Sequence, residues 1–267
     1  MKMFKWRQTL DILAASFEIE LRQNLTDGFV LFGILIQPLL IAFMALWMLQ
    51  GKGADYGIFI VVGSGMTGLW TTLLFNGGNS ITFERWTGNL EGLVGTPTPL
   101  RTVVFGKILA NVTQSLLSMV GCYALVSYAF GYPLMLAKPA LFIIALGFTV
   151  PAFVCFGLII ASLFILIPDF QRLQNTLEFP VYILCGFLFP IALLPGWTTP
   201  LSYLLSPYWA ARALHGASSG TLAPGQIWAS LGLLTAFSLT YLWLSKALYR
   251  IILHKARVDA TLSTTEG

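Results

Sequence analysis

Long apolar runs separated by short polar breaks set the pattern of this chain. A helix needs about 20 mostly apolar residues to cross a hydrocarbon core of roughly 30 Å. Six stretches meet that requirement, at about 28–49, 56–75, 103–130, 139–167, 177–194 and 227–249. The third and fourth exceed one crossing, so they are expected to tilt or to extend past the bilayer. Ahead of the first run, Trp6, Leu10, Leu13, Phe17 and Leu21 recur at steps of three or four and so share one side of a helix. Lys5, Arg7, Gln8, Asp11, Glu18 and Arg22 supply polar surface elsewhere, while Ile12, Ile19 and Glu20 interrupt the pattern. Residues 1–27 are therefore expected to form an amphipathic helix lying in the cytoplasmic headgroup region; a soluble helix packed on a partner is the other reading. The predicted fold class is all-α: a six-span transmembrane domain over 28–252, preceded by that interfacial helix and followed by a mobile cytoplasmic tail, 253–267.

Composition agrees with the pattern. Hydrophobic residues make up 57% of the 267 positions and charged ones 10%, with a mean hydropathy of +0.79; soluble domains carry about 25% charged residues. The net charge of +4 points to nucleic acid only if basic residues cluster on one folded face, and here they lie between apolar runs. Their distribution sets the orientation instead, because short cytoplasmic loops retain Lys and Arg. Lys2, Lys5, Arg7, Arg22, Arg85, Arg101, Lys107, Arg172, Lys246, Arg250, Lys255 and Arg257 fall on one side of the six spans, and only Lys52, Lys138 and Arg212 on the other. Both termini are thus expected in the cytoplasm. The polar N-terminal stretch does not read as a signal peptide, so the first apolar run is kept as a span. Cys122, Cys155 and Cys185 lie within apolar stretches with no second Cys or His at metal-ligand spacing, and read as packing residues.

Two segments stand out. The polar stretch 80–99 carries Phe83, Leu90, Leu93 and Val94, which suit a short helix against the membrane end, and Glu84, Arg85 and Glu91, which offer charge to a soluble partner. Pro97 and Pro99 end any such helix. A solvated loop is the alternative. After the fifth run, Pro190, Pro195, Pro200 and Pro207 break an apolar stretch that cannot be one straight crossing. Backbone at membrane depth must be shielded by protein or water, which suggests short helices dipping back from the outside; an interfacial loop anchored by Trp197, Tyr203, Tyr208 and Trp209 is the other possibility.

At these segments the sequence resembles the type-2 ABC exporter permeases (ABC-2). The resemblance rests on Glu84, Gly88-Asn-Leu-Glu91, Thr96-Pro97 and Gly106-Lys107. It rests equally on Phe189-Pro190, Leu194-Pro195-Gly-Trp197, Pro207 and Ala211-Arg212-Ala-Leu214. It implies a bacterial-type cytoplasmic membrane protein that works as a homodimer, or a pair of related half-permeases, carried on two copies of a cytoplasmic ABC ATPase and embedded in membrane lipid, with no role for nucleic acid. Residues 80–97 would be the coupling helix, with Glu84, Arg85, Gly88, Glu91, Thr96 and Pro97 at the ATPase contact. Residues 1–27 would match the family's interfacial connecting helix, and 190–212 its extracellular gate, with Pro190, Pro195, Trp197, Pro207 and Arg212. Arg212 departs from the pattern by preceding Ala213-Leu214 instead of following such a pair. ATP and Mg would sit on the partner, for Gly106-Lys107 and Gly51-Lys52-Gly53 both lack the Ser or Thr that a P-loop supplies to magnesium.

The family's second and fifth spans line its route. In the second span here, Ser64, Thr67, Thr71, Asn76 and Asn79 form a polar stripe; in the fifth, Phe179, Tyr182, Gly186 and Phe189 share a face. Thr67, Thr71, Asn76, Asn79, Phe179, Tyr182 and Phe189 are the path candidates, with contact between spans as an equal alternative for the polar ones. Gly63, Gly65 and Gly68 read as packing residues, and Gln37-Pro38, Pro151 and Pro180 as kinks. The middles of the spans carry no ionisable residue, which disfavours an ion-coupled secondary transporter; Asp169 and Glu178, near the cytoplasmic end of the fifth, read as structural. An intramembrane enzyme would need a clustered acid, base or nucleophile, and His215 and His254 fall on opposite sides. A path of aromatic and hydroxyl groups suits a hydrophobic or amphipathic cargo such as a drug, antibiotic or lipid, and a lipid-linked polysaccharide is the alternative.

Overall fold

The computed structural model describes residues 2–48, 54–77, 88, 100–130, 136–166 and 170–258, and among them every regular element is helical. The first helix, α1 (Lys2–Thr26), stops at Asp27. The Asp27 carboxylate accepts from the Phe29 and Val30 N–H groups and so caps α2 (Gly28–Leu31). A π-helical turn (Phe32–Ile36) joins α2 to α3 (Gln37–Met48). Pro38 lacks an N–H and its ring crowds the carbonyl four residues earlier, and the widened turn absorbs that misfit. Next comes α4 (Ala54–Thr72), which ends in a second π turn (Leu73–Gly77). Three further helices follow: α5 (Leu100–Phe130), α6 (Pro139–Leu166) and α7 (Phe170–Leu184). Two 3-10 turns (Ile191–Leu193 and Gly196–Thr198) lead to α8 (Thr199–Leu204), α9 (Ser206–Ser219) and α10 (Pro224–Val258). Thus α10 continues through 253–258, part of the stretch expected as tail, and 259–267 lie outside the described residues.

Among the described residues, five segments are long and apolar enough to cross a bilayer: Gly28–Trp47, Gly57–Asn76, Leu100–Tyr128, Pro139–Leu163 and Pro224–Ile252. The crossing expected at 177–194 takes a different form. Its helix, α7, begins earlier, has 15 residues and ends at Leu184, which at 1.5 Å per residue is about 22 Å. The stop is a Schellman arrangement: Gly186 N–H donates to the Ile183 carbonyl at 3.1 Å and Phe187 N–H to the Tyr182 carbonyl at 3.3 Å. It requires left-handed backbone at Gly186, φ 66°, which glycine adopts without a Cβ penalty.

Around the central α4 pack α3, α5 and α9, and the largest apolar cluster joins residues of α4, α5, α6, α7, α9 and α10. A Cβ on Gly63 would lie 2.0 Å from the Phe187 carbonyl oxygen, one on Gly65 2.4 Å from Met119 and one on Gly68 2.9 Å from Pro38. These three glycines are contact points, as their residue type suggested. Beside them, α6 and α10 lie side by side, with Phe156 against Tyr241 at 5.2 Å between ring centroids. Their first residues share one end of the bundle. Ala137 and Lys138 N–H groups donate to the Ser218 and Ala217 carbonyls, and Lys138 Nζ donates to the Leu222 carbonyl at 2.6 Å. The two helices therefore run parallel, so residues 167–223 must carry the chain back along the length of α6.

Candidate functional site

Near the middle of α7 the Glu178 carboxylate is buried, with 6% of its surface exposed. Its Oε1 accepts from Tyr182 one turn along, at 2.5 Å, and from Thr71 of α4 at 3.0 Å. Thr71 and Tyr182 are themselves joined hydroxyl to hydroxyl. One turn earlier, Gln174 donates to the Leu74 carbonyl at 2.6 Å, so α7 is fastened to the end of α4 by polar contacts. Thr71 and Glu178 border a cavity of about 180 Å³ whose wall also includes Phe29, Gln37 and Asn76. It lies where the first candidate span begins and the second ends. The opposite face of α7 is open: Phe179 is 62% exposed, and Thr176, Leu177, Pro180 and Ile183 are exposed with it.

The other end of the bundle is built from the segment after α7. Pro190 and Pro195 precede the two 3-10 turns, and Pro207 opens α9. Trp197 is 72% exposed, whereas Pro207 is buried. Tyr203, Tyr208 and Trp209 form an aromatic cluster, held by a hydrogen bond from Trp209 Nε1 to the Tyr203 carbonyl at 3.0 Å, and the Arg212 guanidinium lies over the Trp209 ring at 5.6 Å. A second cavity, of about 220 Å³, is lined here by Phe59, Pro190, Tyr208, Arg212 and His215. His215 stacks on Phe59 of α4 at 3.8 Å, and its Nε2 is 3.1 Å from the Phe187 carbonyl. Burial pushes this imidazole down to about 4, against a smaller opposing effect of the carbonyl. It is neutral at pH 7, and because a carbonyl only accepts, Nε2 carries the proton.

A family model described as ABC-2 type transporter matches residues 13–217, which run from α1 through α9. The chain belongs to the ABC-2 type transporter family. No curated protein matches it. As an ABC-2 permease it is a multi-pass membrane protein, and membrane domains of this family generally partner with an ABC ATPase. Of the residues assigned to the ATPase contact, Glu84, Arg85, Glu91, Thr96 and Pro97 lie outside the described residues; Gly88 is an exposed turn residue at φ 73°. The described path candidates are distributed over several surroundings within this permease chain. Thr67 is fully buried and donates to the Ser64 carbonyl of its own helix at 2.7 Å. Thr71 and Tyr182 meet at Glu178, Phe179 is in edge-on ring contact with Tyr182 at 6.0 Å, and Asn76 borders the cavity. Phe189 is half-buried beyond the α7 stop. Asn79 and Asp169 lie outside the described residues.

Sequence reasoning missed the seam between α1 and α5. Glu20 and Lys107 form an ion pair at 3.3 Å, with 3% and 5% of their side chains exposed. Asn111 donates to Glu20 at 3.2 Å, and Asn24 donates to both Asn111 and Gln114 at 2.7 Å. A Cβ on Gly106 would fall 2.8 Å from the Leu13 carbonyl oxygen, so the helices pack backbone to backbone there. The face of α1 that is buried is Ser16, Glu20 and Asn24, while Leu10 of the apolar stripe is exposed and Leu13, Phe17 and Leu21 are half-buried. The signal was present as a Ser, Glu and Asn at four-residue spacing beside the stripe.

Proposed function

We propose that this chain is the permease subunit of an ATP-driven exporter that moves a hydrophobic or amphipathic molecule out of the cytoplasm or the inner leaflet, powered by a separate ATPase. The observation that carries the reading is the ABC-2 match over α1 through α9. The parallel run of α6 and α10 supports six crossings, with the short α7 and the turns after it as the return stroke. On this topology both termini are cytoplasmic, α1 is the interfacial helix, and 190–212 closes the outer end. The exposed face of α7, with Phe179 at its centre, faces the path between two copies, and residues 80–97 receive the force of two ATPase subunits through Glu84, Arg85, Gly88, Glu91, Thr96 and Pro97.

Reversing charge at that contact tests the reading. Glu84→Lys or Glu91→Lys should abolish cargo-stimulated ATP hydrolysis by the purified permease–ATPase complex. Thermal unfolding and size-exclusion behaviour of the permease should stay as in the wild type. Full stimulation in both variants would refute the coupling assignment.

A further inference from the structure

We infer that the cavity beside Glu178 is a recognition pocket for the positively charged head of an amphipathic cargo, an inference that rests on the exporter reading above and names its substrate class. Among the described residues two carboxylates are buried, Glu20 and Glu178, and they are treated differently. Glu20 is met by the Lys107 ammonium. Glu178 is met only by two neutral hydroxyls, Thr71 and Tyr182, both on Oε1, and no hydrogen bond or basic side chain among the described residues reaches its other oxygen. A carboxylate held away from water is costly unless a cation or further donors compensate. The remaining wall adds apolar and cation-tolerant surface and no positive charge: Phe29, Phe32 and Phe75 are aromatic, and Gln37 and Asn76 are neutral amides. Aromatic faces attract ammonium groups.

Size and opening fit a head group. The cavity holds about 180 Å³, and a cavity of about 150 Å³ accommodates one benzene ring. Phe29 is 83% exposed and Phe32 46%, so the pocket borders the outer surface of the bundle, where an alkyl tail would lie along the apolar face of α2 and α3. An ammonium-bearing ring enters, and its tail stays in the lipid.

Direct binding tests this without any ATPase. The full-length permease in phosphatidylcholine nanodiscs is titrated with radiolabelled benzyldodecyldimethylammonium, whose charge is fixed, and with neutral N-benzyldodecanamide, subtracting empty nanodiscs. The cation should bind about tenfold more tightly than the amide, and Glu178→Gln, whose amide oxygen still accepts from Thr71 and Tyr182, should remove that preference while changing amide binding by less than about twofold. Asn76→Asp adds a second carboxylate to the wall and should tighten cation binding, which keeps the inference open to refutation if Glu178→Gln does not fold. Equal affinity of the two probes for the wild type, or cation binding unaffected by both substitutions, overturns it. ATP-driven transport without charge preference would sink this inference alone; a charge-selective pocket in a permease that no ATPase drives would sink the exporter reading alone.

Discussion

Thr67 and Thr71 lie one turn apart on the same face of α4, and periodicity gives no way to separate them. The structure does: Thr67 closes its hydroxyl onto its own helix, while Thr71 reaches Glu178 across to α7. The difference arises because α7 meets α4 only near one end, and that fact depends on where α7 stops. The glycines of α4 were legible as contact residues from their size, but not what each one touches. Gly63 leaves space for the Phe187 carbonyl, which also accepts from His215. Gly63→Ala should therefore destabilise the folded permease by about 1–3 kcal/mol, read as a lower midpoint in thermal unfolding, with an unchanged midpoint against it. His215 carries a pH signature. Its unfolded pKa is near 6.5 and its folded pKa about 4, so the unfolded chain binds the extra proton between those values. Stability is fully present above pH 6.5 and is lost as pH falls toward 4, by at most about 3 kcal/mol. Between pH 7.5 and 5 the unfolding midpoint should fall in the wild type and fall less in His215→Gln; equal slopes would exclude His215 as the source.

At the scale of elements, five of the expected crossings are visible as long apolar helices, because burying a helix in lipid demands little more than length and apolarity. The region of the remaining one shows where that criterion fails. The run 177–194 is apolar apart from Glu178, yet Cys185-Gly186 inside it is a helix stop, a signal that hydropathy does not weigh. In α1 the apolar residues recur along one side of the helix, but the helix is held by the polar residues next to them. The Glu20–Lys107 pair with Asn24, Asn111 and Gln114 fixes α1 along the first turns of α5. Removing one member of a buried pair strands the other, at a cost of about 3–5 kcal/mol, whereas replacing both with apolar groups costs far less. Glu20→Leu or Lys107→Met alone should each lower the unfolding midpoint strongly, and the double variant should recover much of the loss. Additive effects would mean that the pair does not act as a unit.

The whole molecule reads as a bundle filled at its centre and open on the outer face of α7. Within one chain, α4 is enclosed, Thr67 is sealed in, and the two cavities lie at opposite ends of the bundle, one beside Glu178 and the other beneath the 190–212 segment. On the exporter reading, movement of cargo between those ends needs a second surface and an external source of work; membrane domains of the ABC-2 family generally partner with an ABC ATPase. The measurement that tests this most directly is transport in proteoliposomes containing the permease with the ABC ATPase that co-purifies with it, supplied either with ATP or with a proton or sodium gradient. Movement of an amphipathic probe should require the permease, the ATPase and ATP together, and should continue when ionophores collapse every gradient. Transport by the permease alone, driven by an ion gradient without ATP, would contradict the account.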